Sequence, residues 1–150
     1  MPKLHLDTDI GGDIDDLCAL ALVLNWPGVD LLAVTTNQDN GGKRAGYARY
    51  ALRLAGREGI SVAAGADASL DCYRIYPGLP DETAYWPEPI PPAPGPLDVA
   101  LDLLQCSIEQ GAVIVAIGAY TNLALLEKRF PGILRHANLV LMGGYVFPPR

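Results

Sequence analysis

Histidine and phenylalanine each occur twice and cysteine three times in this chain of 150 residues, and lysine and arginine together number only eleven. Each scarcity removes a class of function. Cys18, Cys72 and Cys106 are odd in number, widely spaced and form no C-x-x-C pair, so neither a disulfide framework nor a zinc site is expected, and they read as small core or near-core residues. Eleven scattered basic residues against seventeen acidic ones give a net charge of -6 and a pI near 4.7, which argues against nucleic acid or an anionic membrane as partner. No run approaches the roughly 18 apolar residues of a membrane span. The start MPKLHLDTD has no signal-like apolar region, so the expected compartment is the cytoplasm.

What is present fits one globular domain. Half the residues are apolar, enough for a substantial core at this length. Short apolar runs at 4–7, 30–35, 60–65, 112–117 and 138–142 read as strands. Between them lie helical patterns. Residues 14–25 place Leu17, Leu20, Ala21 and Leu24 on one face and stop at Pro27 and Gly28. Residues 42–55 align Ala45, Ala48, Leu52 and Ala55, with Gly56 suited to a C-terminal cap. Residues 97–109 and 121–129 complete the set. Strand followed by helix, repeated, predicts a doubly wound α/β fold with a mostly parallel sheet and helices on both faces.

One segment breaks the rhythm. Residues 67–96 show no clean period, and eight prolines crowd YPGLPDETAYWPEPIPPAPGP, so this stretch is expected to form a lid-like loop. Its aromatics, Tyr73, Tyr76, Tyr85 and Trp86, suit stacking on a flat ligand, but packing of the loop itself is the expected role for most of them.

The stretch DTDIGGDIDD at 7–16 sets five carboxylates within ten residues, in the turn after the first strand. In open α/β sheets ligands bind beyond the carboxyl ends of strands. Thr36, Asn37, Asp39 and Asn40 after the second strand, Ile117 and Gly118 after the fourth, and Met142, Gly143 and Gly144 after the fifth should face the same crevice. Lys3 is the only basic residue before Lys43, so the protein is not expected to neutralise the run. Clustered carboxylates raise one another's pKa unless a cation intervenes, and a hard divalent ion such as calcium answers that need with oxygen ligands. Gly11 and Gly12 would let Asp9 and Asp16 converge. Capping by Asp13 or Asp15 accounts for one or two of the five and leaves Asp7 and Asp9 unexplained.

With those residues in view, DTDIGGDIDDLCAL resembles the N-terminal signature D-x-D-x-G-x-D-D-x-x-A-[LI] of the inosine-uridine-preferring nucleoside hydrolase family, with two additional residues between the glycine and the paired aspartates. LLAVTTNQDN resembles the family's second strand with its site asparagine, IGAYTNLA at 117–124 its G-x-x-T-N-x-A element, and LVLMGGYV at 139–146 its L-M-G-G strand end. The resemblance implies a calcium-dependent nucleoside N-ribohydrolase of nucleoside salvage, acting on a ribonucleoside. It implies Asp9, Asp16 and the backbone carbonyl of Ile117 as calcium ligands, and Asp9 as the catalytic base. Asp15 and Asn40 would bind the ribose hydroxyls, and Asp7 would support the cluster.

The departures shape the expectation. Members of the family are about twice this length. Their second half supplies a further calcium-binding aspartate, a histidine near the leaving base, and an asparagine and an acidic residue that grip ribose. His5 and His136 are read instead as core or surface residues, and Thr121 and Asn122 as helix caps. The implied partners are therefore a ribonucleoside and either further copies of the chain or a C-terminal half. Weak turnover by this chain alone is expected, with an open sheet edge exposing apolar surface. Two alternatives differ in class: a calcium-binding module without catalysis, and a phosphohydrolase of the haloacid dehalogenase type, whose D-x-D motif DTDIGGD fits poorly.

Overall fold

The computed structural model describes residues 1–70 and 82–143. Its regular elements are β1 (Lys3–Thr8), α1 (Asp15–Asn25), β2 (Asp30–Thr36), α2 (Lys43–Leu54), β3 (Ser61–Ala64), α3 (Leu97–Glu109), β4 (Val113–Ala116), α4 (Thr121–Arg129) and β5 (Asn138–Leu141). All four pairings are parallel, and the sheet runs β3-β2-β1-β4-β5. The doubly wound α/β expectation is therefore met, with strand and helix limits within about two residues of those read from the sequence. The direction of winding reverses between β1 and β4, which places a crevice at their carboxyl ends.

Alternation along β1 divides the core. Leu6 joins Leu20 of α1 and Ala45, Ala48 and Leu52 of α2 on one face, where small alanines let the helix approach the sheet closely. Ile114 and Ala116 of β4 pack with Leu101, Leu104 and Ile108 of α3 and Leu123 and Leu126 of α4 in a second cluster. Two expected core positions fall outside: Ala21 and Ala55 are exposed, the first on the outer side of α1 and the second one residue beyond the end of α2. The cysteine expectation also needs correction. Cys18 and Cys106 are exposed, because each lies on the outer side of its helix, while Cys72 lies outside the described residues.

The proline-rich stretch is partly anchored. Ala93 N–H donates to the Gly42 carbonyl at 2.8 Å. Trp86 stacks on Tyr47 of α2 with centroids 4.5 Å apart and planes 6° apart, and meets Tyr50 edge-on at 5.8 Å. Trp86 thus packs the loop down as expected, whereas Tyr85 is exposed and Tyr73 and Tyr76 lie outside the described residues. At the opposite edge, β5 leaves Val140, Leu141 and Met142 about half exposed, the open apolar edge expected from the sequence. Among the described residues no helix is long and apolar enough to cross a membrane.

Candidate functional site

The crevice at the ends of β1, β2 and β4 is built around Asp7, a fully buried carboxylate. Its Oδ1 accepts from Thr35 Oγ1 at 2.7 Å and from Asn122 Nδ2 at 2.7 Å, and its Oδ2 accepts from Asn37 Nδ2 at 3.3 Å. Neighbouring backbone fixes both amides. Asn37 Oδ1 accepts from Ala119 N–H at 3.0 Å, and Asn122 Oδ1 accepts from Ala66 N–H at 2.8 Å. Burial raises the Asp7 carboxyl to about 6 even though these donors pull it the other way.

Asp9 lies one step nearer the solvent and is half-buried. A Cβ added at Gly118 would stand 2.8 Å from Asp9 Oδ1 and 2.6 Å from Asn37 Oδ1, so the turn after β4 rests directly against this carboxylate. Gln38 Nε2 is 3.4 Å from Asp9 Oδ2, and Gln38 holds φ +50°, an uncommon conformation for a residue with a side chain. Burial raises the Asp9 pKa, and Arg44 opposes that shift.

Arg44 corrects one expectation, because the protein does bring a cation to the acidic turn. Its Nη1 donates to the carbonyls of Asp9 and Ile10, and its Nε donates to the Gln38 carbonyl at 3.0 Å. A buried arginine in the first turn of α2 is out of place for the helix dipole, and that misfit is the sequence signal for a second role.

On the other side of the turn, Asp16 is buried and Thr8 Oγ1 donates to its Oδ1. Burial raises its carboxyl to about 6, and Asp9, Asp15 and Asp13 add to the shift. Gly11, at φ +126°, folds the turn tightly enough that Tyr47 fills the space a side chain would need. Carboxylate oxygens of Asp13, Asp15 and Asp16 lie within 4.8 Å of one another. Asp13 hydrogen-bonds Asp15, and this raises the Asp13 pKa. The turn therefore gathers Asp13 with the expected Asp15 and Asp16, while Asp9 stands beside Gly118. Neither Asp13 nor Asp15 caps α1 through its side chain; Asp15 Oδ1 accepts from the adjacent Asp16 N–H at 3.0 Å.

Four other residues singled out in the sequence take definite places. Asn40 is exposed on a 3-10 turn at Asn40–Gly42, while the Asp39 carboxylate serves the first turn of α2, accepting from Arg44 N–H at 2.8 Å and Ala45 N–H at 3.0 Å. Ile117 N–H donates to the Asp7 carbonyl at 2.9 Å, which seats residue 117 at the strand end beside Asp7. Asn122 caps nothing: it is buried, and its Nδ2 bridges Asp7 and the Thr36 carbonyl. His5 is a core residue, as expected, hydrogen-bonded on both ring nitrogens.

The donor set is all oxygen and mostly carboxylate, the chemistry a hard divalent cation selects. Burial is the main cause of the raised Asp9 and Asp16 pKa values and the hydrogen bond to Asp15 that of Asp13, with neighbouring carboxylates adding a smaller push in each case.

Comparison with known proteins bears directly on this arrangement. An inosine-uridine preferring nucleoside hydrolase of Leishmania major is 31% identical over 153 aligned positions, covering 95% of this chain and 48% of the relative. A probable uridine nucleosidase 2 of Arabidopsis thaliana is likewise 31% identical, over 95% of this chain and 47% of its own length. The solved structure of a plant nucleoside hydrolase superposes with a TM-score of 0.78 at 28% identity, over 96% of this chain and 48% of that one. The chain thus spans about half the length of the relatives it matches. Since the family's sequence model matches residues 4–149, nearly the whole chain and every element around the crevice, the chain belongs to the inosine-uridine preferring nucleoside hydrolase family.

Proposed function

We propose that this chain supplies the metal and ribose side of a calcium-dependent nucleoside N-ribohydrolase, which cleaves the N-glycosidic bond of a ribonucleoside to ribose and free base. The observation that carries the reading is the convergence of Asp7, Asp9 and the Asp13–Asp16 turn on the β1/β4 switch point in a member of this family. The names of the Leishmania and Arabidopsis relatives point to nucleosides as the substrate class.

Asp9, Asp16 and the Ile117 carbonyl would hold the calcium ion. When bound, the ion supplies a more acidic water at neutral pH. Asp9, set at the strand end against the turn after β4, accepts the proton of the attacking water. Asp15 and the exposed Asn40 hydrogen-bond the ribose hydroxyls. Asp7, bound by three side-chain donors, keeps the Asn37 and Asn122 amides in place behind the reacting groups. Carboxylates around the sugar stabilise the cationic character that develops as the glycosidic bond breaks. Residues 67–96, of which 71–81 lie outside the described residues, would serve as a lid, with Trp86 anchoring its described part.

The test is ribose release from inosine and uridine by the purified chain, with a thermal melt in calcium and in chelator beside Asp16→Asn. That substitution keeps an oxygen for Thr8 while removing the charge. The expected result is a melting temperature raised by calcium in the original and unmoved in the variant. A melt indifferent to calcium overturns the metal assignment. Calcium binding without ribose release, even when the C-terminal half of a relative is supplied, identifies a binding module instead.

A further inference from the structure

The first strand carries an imidazole where a doubly covered parallel sheet calls for an aliphatic residue. His5 is fully buried at the centre of the sheet, two residues before Asp7 and therefore on the same face of β1. Ser107 breaks the pattern in the same way. It occupies a core-facing position of α3 beside Leu104 and Ile108, where an apolar side chain would ordinarily sit. The two misfits meet: His5 Nδ1 is 2.8 Å from Ser107 Oγ, and His5 Nε2 is 3.0 Å from Thr35 Oγ1.

Proton counting fixes the direction of this chain. Asn122 and Asn37 can only donate to Asp7, because Ala66 and Ala119 N–H groups occupy their amide oxygens. Thr35 has one hydroxyl proton and donates it to Asp7 Oδ1. Towards His5 it must accept, so Nε2 carries the ring proton and Nδ1 accepts from Ser107. Burial pushes the imidazole down to about 3, so it is neutral at ordinary pH and one tautomer satisfies every group.

The geometry points to His5 as a positioning residue of the strand-end site: it fixes the hydroxyl of Thr35 on Asp7 and, through Asp7 and Asn37, holds the turn at 117–119 against Asp9. The order is Ser107, His5, Thr35, Asp7, Asn37 and Ala119 N–H, a continuous line from the middle of α3 to the turn bearing the Ile117 carbonyl. A His–Ser pair serving stability alone would need no member at the reaction site, whereas this line ends there. Both arms of the line donate into Asp7, so they are coupled by position: without the imidazole Thr35 loses its fixed seat, Asp7 shifts, and the displacement is felt at the far end.

The inference rests on the proposed reading of the crevice for its consequence, but its test runs on the calcium-free chain. Long-range proton–nitrogen spectra of labelled histidine should show His5 with a protonated Nε2 and a bare Nδ1. The reverse tautomer overturns the proposal. Amide hydrogen exchange then reads the far end. His5→Leu should speed exchange of the Ala119 N–H about fivefold, the worth of roughly one hydrogen bond. The Ala45 N–H, held by Asp39 on the other side of the sheet, should stay within about twofold, as expected when global stability is unchanged. His5→Gln, which can both donate and accept, should restore the Ala119 rate. Equal acceleration at both amides means general destabilisation and overturns the relay. If His5→Leu does not fold, Ser107→Ala keeps the ring and should give a smaller acceleration confined to Ala119; an unmoved Ala119 overturns the relay. In calcium titration His5→Leu should bind about tenfold more weakly, in the range for lost outer-shell partners. An original chain that binds no calcium sinks the reading of the site while the exchange result still decides the relay.

Discussion

Asn122 Nδ2 donates to Asp7 Oδ1 at 2.7 Å, joining the first turn of α4 to the end of β1 across 115 residues. The same nitrogen reaches the Thr36 carbonyl at 2.8 Å, and the amide oxygen takes the Ala66 N–H. One side chain thus satisfies polar groups from the ends of β1 and β2 and from the loop after β3. A side chain at Gly65 would strike both the Asn122 amide and the Thr36 carbonyl, so the bracket also requires glycine there.

Removing that bracket should be costly. Asn122→Ala leaves the Ala66 N–H and Thr36 carbonyl buried without partners, at about 1–3 kcal/mol for each unsatisfied group. We expect a loss of about 3 kcal/mol in urea unfolding with an unchanged m-value. Asn122→Asp should be worse, because it faces a second carboxylate towards Asp7. A variant as stable as the original would show that Asn122 is dispensable.

The raised carboxylates make a pH prediction with a definite sign. Asp7 and Asp16 stand at about 6 in the folded chain against 3.8 ordinarily, so between these values the folded state holds protons that the unfolded state has released. Their contribution is full below about pH 4 and lost as pH rises through 6. His5 opposes them. Lowered from 6.5 to about 3, it stabilises above 6.5 and loses that contribution as pH falls. Two carboxylates against one imidazole leave a net loss of about one proton between pH 4 and 6, roughly 1.4 kcal/mol per unit, with Asp9 and Asp13 shifted in the same direction. Urea titrations in chelator at several pH values should show stability falling over this window, and His5→Gln should steepen the fall. Stability that rises with pH there would contradict the assignment.

Periodicity made the fold legible, because apolar runs of two lengths alternate from β1 to β5, broken only by the proline-rich stretch at 67–96. The acidic turn was equally visible, since five carboxylates at a strand end have no structural explanation in common. What escaped were partners supplied from far along the chain. Arg44 follows Asp9 by 35 residues and reaches it only because Asp39 caps α2 and sets that helix's first turn beside β1. Asn122 looked like a cap because asparagine near a helix start usually is one. Only the stacking of β3, β2 and β1 shows that its amide points under the sheet ends instead. The paired misfits His5 and Ser107 were readable singly as polar residues in apolar patterns, but not as a pair, because nothing local couples positions 102 residues apart.

Gly118→Ala tests how closely the β4 turn must approach Asp9. The new methyl would stand 2.6 Å from Asn37 Oδ1 and 2.8 Å from Asp9 Oδ1, closer than real contacts allow. Either Asn37 turns, releasing Ala119 N–H, or the turn lifts and carries the Ile117 carbonyl away. Both outcomes should weaken calcium binding by about tenfold or more, in the range for disturbed supporting groups, with a fall in melting temperature in chelator as well. Calorimetric titration beside the original checks this. Unaltered affinity would remove the β4 turn from the site.

The anchoring of the proline-rich segment gives a prediction whose sign decides between two views of it. In an exposed helix, replacing glycine by alanine stabilises by about 1 kcal/mol. Gly46 lies inside α2, but a Cβ there would strike the Pro91 carbonyl oxygen and stand 3.2 Å from Pro92 Cα. Trp86 adds to the anchor by stacking on Tyr47, although its Nε1 is buried with no hydrogen-bond partner among the described residues, so apolar and ring contacts alone hold it. If residues 91–92 are seated on α2 in solution, Gly46→Ala must lower stability despite the gain in helix propensity, and Trp86 must move towards water. In a Trp26→Phe background, which leaves Trp86 as the only tryptophan of the two, its emission should shift to longer wavelength in the variant. A stabilised variant with unshifted emission would mean that the segment is not docked here, and a lid anchored at Trp86 would lose its support.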